Sequence, residues 1–311
     1  MWFKNIHLYR LHGDAAAAGI ALETLEAALA EHTHRPVSSS EARRLGWYPP
    51  AGRHGQQLVH EIQGHRLLTL LRQERLLPAS VIREEVEERA AEREAAEGHP
   101  LPRRDRQAIK EQVIKEFLPR AFTRTQRIDV WWDTERALIA VNAASRTRAE
   151  DVLDLLRQSL GSLQVTPLAV RQLPSRTMTD WVQHPESRPS WLRIGEKAVL
   201  EDPGDDGKWS ASGVDIDADD TQSVLESGRQ VTRLQIEIDE RVTAMLHDDL
   251  TLKSLRFADA LLDEASQVED DDPIMRLEGD FVLMAGALRE CIEQLIDGLG
   301  GEADPAAPTS P

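Results

Sequence analysis

The sequence predicts an α+β protein in which antiparallel sheets carry helices on one side and a helical arm protrudes. Three observations predict it. Short runs with two-residue alternation are joined by tight turns, as paired strands are. Longer runs with apolar residues three and four apart follow them, as packed helices do. Between them lie two charged segments too poor in apolar residues to be buried.

Residues 5–10 (NIHLYR) alternate as a strand. Asp14 is placed to cap a helix whose Ala18, Leu22, Leu25 and Leu29 share a face. The stretch 46–55 (GWYPPAGRHG) is dense in Gly and Pro and predicts a loop. Strand-like runs follow at 57–62, 66–71 and 73–77, and Pro78 ends them.

Residues 80–98 form the first arm helix, with a narrow stripe of Val81, Ile82, Val86 and Ala90 and a favourable Glu85–Arg89 pair. Pro100 and Pro102 break the chain before a second helix, 105–118, with Ile109, Val113 and Phe117 in line. The two make a protruding helical hairpin.

A β-hairpin follows. Ile128, Val130 and Trp132 alternate, residues 133–136 turn, and Leu138 and Ala140 return. Trp131 and Trp132 point to opposite faces, so one belongs to the core and the other to a surface or interface. Residues 147–150 (TRAE) read as a capping box for a helix with Val152, Leu156 and Leu160, closed by Gly161. A strand at 163–170 completes the unit. The pattern repeats loosely further on. Leu234, Ile236 and Ile238 alternate, residues 239–241 turn, and Val242, Ala244 and Leu246 return. A helix over 274–297 buries Phe281, Met284, Leu288, Ile292 and Leu295. The predicted units are 1–78, the arm 79–118, a basic unit 119–175, an acidic unit 176–301 and a disordered tail 302–311.

Composition narrows the function. The longest apolar runs, 15–22 and 281–288, fall well short of the ~20 residues that span a bilayer. The N-terminus has no signal-peptide pattern. Cys291 is the single cysteine, which excludes an internal disulfide and fits a reducing cytoplasm. The net charge of −17 is unevenly spread. Residues 100–176 hold 14 Lys+Arg against 9 Asp+Glu, whereas 200–311 hold 8 against 28. The basic stretch is rich in Arg, whose forked guanidinium suits phosphate.

Apparent metal motifs fail on geometry. His60 and His65 are five residues apart, about 140° around a helix, so they cannot share a metal as histidines four apart do. Asp215, Asp217, Asp219 and Glu226 mimic calcium-loop positions, but Asp220 stands where the turn needs Gly. Asp219 or Asp220 capping a short helix is the simpler reading. The run 269–272 is a charged helix entry, and Cys291 is a packing residue. No phosphate loop, nucleophile elbow or Cys–His signature is present.

Several segments together resemble one family: MWFKNIHLYRL at the start, GWYPP, LPRAFTR, LLRQSLGSLQVTPL, and IDGLGGE at the close. In order and spacing they are similar to the recombination-associated protein RdgC family over residues 1 to about 302. The resemblance implies a non-enzymatic, nucleoid-associated, cytoplasmic protein. It implies a homodimer of crescent subunits closed into a ring around DNA, restraining recombinase action and affecting replication restart. It places Phe122 near one subunit junction, and the stretch 208–216 with Lys208 and Trp209 at the other. That stretch holds one Lys where the family often has more basic and polar residues. The implied partners are double-stranded DNA, with single-stranded DNA left open, a second copy of the chain, and a recombinase through competition on DNA. No cofactor, metal or membrane is implied.

Resemblance and charge meet in one expectation. Arg103, Arg104, Arg106, Lys110, Lys115, Arg120, Arg124 and Arg127 line the hole and contact phosphate, while the acidic third faces outward. The alternative is an acidic interaction protein that acts on recombination proteins directly with little DNA binding.

Overall fold

The computed structural model describes residues 2–13, 20–202, 204, 207–266 and 272–303. It holds one twelve-stranded sheet rather than several. The strands are β1 (Ile6–Leu11), β2 (Arg43–Tyr48), β3 (Val59–Ile62), β4 (His65–Arg75), β5 (Thr123–Asp133), β6 (Leu138–Asn142) and β7 (Val165–Pro167). They continue with β8 (Leu192–Glu201), β9 (Lys208–Ser212), β10 (Gln230–Ile238), β11 (Val242–His247) and β12 (Leu252–Phe257). Their order is β2-β4-β5-β6-β1-β12-β11-β10-β8-β9, with β3 on β4 and β7 on β1. All the pairings are antiparallel. The helices are α1 (Leu22–Ala30), α2 (Ala79–Glu97), α3 (Arg103–Phe117), α4 (Arg146–Leu160), α5 (Pro174–Gln183), α6 (Asp219–Glu226), α7 (Asp259–Ser266) and α8 (Pro273–Gly298).

Alternation along the central strands feeds two cores. Ile6, Leu8, Leu67, Trp131, Leu138 and Ala140 join α8 on one face. Tyr9, Leu11, Leu68, Leu70, Val130, Trp132, Ile139 and Val141 join α1 and α4 on the other. Helices therefore cover both faces, not one. This also corrects the reading of the tryptophan pair. Trp131 and Trp132 do point to opposite faces, but both are buried, because each face has its own helical cover. Strands β8 to β12 bury one face only, against α5, α6 and α8.

Several local expectations shift. Asp14 lies outside the described residues, and α1 begins at Leu22 with Ala21 before it. The segment 46–48 belongs to β2 rather than to a loop. A Cβ on Gly46 would lie 2.4 Å from the His34 backbone, so the residue's composition signals close packing as well as turning. The runs 66–71 and 73–77 are one strand, β4, and the run 163–170 shortens to β7. The capping box is displaced: Ser145 precedes α4, its side chain makes no capping bond, and Thr147 lies inside the helix. Ala218, not Asp219 or Asp220, precedes α6. Residues 269–271 lie outside the described set, but Asp272 caps α8, its Oδ1 accepting from Ile274 N at 2.9 Å.

The last helix is locked to the β5–β6 turn. Asp133 is fully buried, and its carboxylate accepts from Arg289 Nε at 2.6 Å and Nη2 at 2.8 Å. The same carboxylate accepts the Glu135 and Arg136 amides, so one residue shapes the turn and anchors α8. Of the tail, Glu302 is clasped by Arg10 at 2.6 Å, and residues 304–311 lie outside the described set. No described helix is long and apolar enough to cross a membrane.

Candidate nucleic-acid interface

The eight cations singled out in the sequence do not form one surface. Five sit on α3 of the arm. Here α2 and α3 pack through Ala90, Leu101, Ile109 and Val113. Arg89 pairs with Glu85 one turn back on α2 at 2.7 Å and ties α2 to α3 through Glu116 at 2.8 Å. Glu94 accepts the Leu101 amide at 2.8 Å and Arg106 Nη2 at 2.6 Å, and these bonds hold its carboxyl below the usual range. Arg106 is thus a brace within the arm. At 100° per residue, Arg103 and Lys110 share one edge, and Arg104 and Lys115 lie about 120° away. Across 79–117 there are 8 Lys+Arg against 10 Asp+Glu, so the arm as a whole is acidic.

Arg120, Arg124 and Arg127 stand where the arm rejoins the sheet. Arg127 is committed: Nε bonds Asp129 at 2.7 Å, and Nη2 bonds Pro50 O and Thr69 Oγ1. Arg120 and Arg124 are exposed and form no salt bridge among the described residues. Between them Phe122 is 82% exposed and Leu76, bonded to it through the backbone at 2.7 Å, is 46% exposed. Leu118 and Pro119, just before Phe122 in the chain, line a recess of about 460 Å3 with Ile114 and Ser39. Lys208 and Trp209 lie on β9, an edge strand. Lys208 is exposed, and Trp209 packs partly into the core.

Sequence reasoning missed a second basic surface, the uncovered face of β8 to β12. Cross-strand register puts Arg233 opposite His247, Lys253 opposite Met245 and Arg256 opposite Thr243. Lys197 and Lys208 lie on this face too, opposite Ser212 and Glu201. All of these side chains are half-buried or exposed. Glu201, opposite Lys208, and Glu237 share the face, but most acids of the region lie in turns and helices such as 215–226 and 239–240. Net charge hid this uneven distribution. The signal was available in the alternation, since Arg233, Gln235 and Glu237 interleave with Leu234, Ile236 and Ile238. His247 on this face is pushed down to about 4, by burial first and then by Lys253 and Arg233. It is neutral at ordinary pH, so the face takes its charge from Lys and Arg.

The candidate metal residues resolve as structural ones. His60 lies 3.4 Å from Glu278, and His65 Nδ1 accepts from Trp131 Nε1 at 3.1 Å. Arg188 binds both oxygens of Asp217. Among the described residues no group of three or more His, Cys, Asp or Glu is placed to hold a metal ion. Cys291 is buried, and burial pushes its thiol up to about 12.

The arrangement defines a class: a wide antiparallel sheet with one cation-bearing open face and an exposed apolar tip beside free arginines. The chain belongs to the RdgC family, whose model, described as "Putative exonuclease, RdgC", matches residues 1–302. It is 37% identical over 303 residues to the recombination-associated protein RdgC of Pasteurella multocida (strain Pm70), covering 97% of this chain and 98% of the relative. The proteins of that name from Salmonella paratyphi B and Salmonella typhi are 36% identical over 306 residues, covering 97% of this chain and 99% of each relative.

Proposed function

We propose that the protein acts in recombination by binding DNA without sequence preference, as a ring-shaped homodimer that encircles the duplex and restrains recombinases on it. The observation that carries this reading is the open face of β8 to β12, where Lys197, Lys208, Arg233, Lys253 and Arg256 stand on a side of the sheet that no described helix covers. Cations of this kind meet phosphates, which fix position and carry no sequence information. The names of the relatives support the link to recombination. The exposed Phe122 supports self-association: a two-fold pair would seat Phe122 of one copy against the recess beside Leu118 of the other. The edge strand β9 offers a second junction. This reading places the protein in the cytoplasm, on the nucleoid, and as a binder rather than a nuclease.

The test is a salt series on a duplex of about 30 base pairs, with oligomeric state read in the same samples. A dimer whose log affinity falls steeply with log salt is expected. Arg233→Gln with Lys253→Gln should flatten the slope by about 1.8, the value for two lost phosphate contacts. Phe122→Ser should shift the dimer toward monomer and shorten the lifetime on closed circular DNA. A dimer that ignores DNA at low salt overturns the reading and points to an acidic, protein-binding role. Cleaved DNA overturns the non-catalytic part.

A further inference from the structure

A groove of about 410 Å3 opens where the residues before β1, the middle of β5, the end of β6 and the first turn of α4 meet. Its lining includes Lys4, Arg127 and Arg148 and no carboxylate. In a chain of net charge −17, that is a marked local excess of positive charge. Arg127 is engaged elsewhere, so the free cations are Lys4 and Arg148, neither of which forms a salt bridge among the described residues. Arg148 lies in the first turn of α4, and no side chain caps that helix, so its positive end adds to the field.

The rest of the lining is suited to hydrogen bonding. Asn142 Oδ1 accepts the amides of Lys4 at 3.0 Å and Asn5 at 3.2 Å, leaving its Nδ2 donor without a partner among the described residues. Gln126 Oε1 is buried and has no hydrogen-bond partner among the described residues. One unspent donor and one unspent acceptor match the edge of a nucleobase, and an unsatisfied buried acceptor calls for a ligand or water. Trp2 adds an aromatic wall. The volume suits a single small unit, not a duplex. Base edges in a duplex are occupied by pairing, whereas an unpaired base presents its edge freely.

We propose that this groove seats one unpaired nucleotide of a DNA strand, with its phosphate between Lys4 and Arg148 and its base edge at Asn142 and Gln126. The inference rests on the DNA-binding reading above and adds a strand preference at a separate place. Asn5 Oδ1 accepts the Ser254 amide at 3.2 Å, so the groove adjoins the strand that bears Lys253 and Arg256. A strand on the open face could therefore continue into it.

The test compares the wild-type chain with the Lys4→Gln, Arg148→Gln double variant on labelled single strands and duplexes of about 20 nucleotides across a salt series. Expected is at least a tenfold loss for the single strand, a slope shallower by about 0.7 for the one phosphate held, and duplex affinity within twofold of wild type. Neither side chain forms a hydrogen bond or salt bridge among the described residues, so the melting temperature should be unchanged. Gln126→Ala supplies a second readout. Wild type should prefer a normal strand to an abasic one, and this variant should lose that preference. Equal losses on both DNAs, or none on either, overturn the groove while leaving DNA binding intact. A wild-type chain that binds neither DNA overturns the DNA-binding reading itself, and shows it before any variant is compared.

Discussion

Arg289 shows how much one side chain can hold. Its guanidinium is the counter-charge for Asp133, which is wholly buried, and it also reaches Glu135 at 2.8 Å. Removing one partner of a buried pair strands the other, at a cost of about 3 kcal/mol or more. Arg289→Met should therefore lower the urea midpoint markedly, whereas Arg157→Met, at an exposed pair with Asp154, should hardly move it. Equal midpoints would show that Asp133 is satisfied by the turn amides alone. No sequence pattern announces the Asp133–Arg289 contact, because 156 residues separate the partners and each reads as an ordinary surface charge.

At the scale of elements, the helical arm was legible almost to the residue, and the tryptophans were not. Two prolines, a stripe of apolar residues and Gly98, which adopts a left-handed φ of 72° after α2, mark the arm locally. Whether both faces of β5 are covered depends on α8, more than 140 residues later, and alternation alone cannot report it. The same limit applies to the candidate site: Arg clustering in sequence selected α3, while the register of β10 to β12 groups cations that are scattered along the chain. The arm has its own small core, so damage there should stay local. Val113→Ala should cost about 2 kcal/mol within that core. Amide exchange should then speed up in 79–117 and stay unchanged in β4 and β5. Uniform loss of protection would show that the arm and sheet unfold as one unit.

Across the whole molecule, acid should destabilise the fold. His7, His34, His60, His65 and His247 are all depressed below 6.5, each chiefly by burial. As pH falls through 6.5 the unfolded chain takes up protons that the folded chain refuses, so stability falls with pH over that range. For His247 the loss continues to about 4. The Glu41 carboxyl, held down to about 2 first by the Ser38 amide, acts in the same direction below the ordinary carboxylate range. The melting temperature should be lower at pH 5 than at pH 7.5. An equal or higher value would mean that these imidazoles protonate without disturbing the fold.

Strand β1 begins at residue 6, yet it lies in the middle of the sheet, between β6 and β12. Its ladder to β12 is short, with Ile6 opposite Leu252 as its register pair. During synthesis β1 must therefore wait for partners made much later. The β2–β6 portion can assemble around it once residue 142 has emerged, but the seam to the second portion closes only after residue 252. Until then the start of β1 around Ile6 lacks its β12 partner, because β7 covers only residues 9–11 of that flank, and the surface meant for α8 stays bare. Such an interval is when unpaired strands find wrong neighbours. The growing chain is thus most vulnerable to misassembly until residue 252 and the residues of α8 have emerged, and the clasp of Arg10 on Glu302 forms later still.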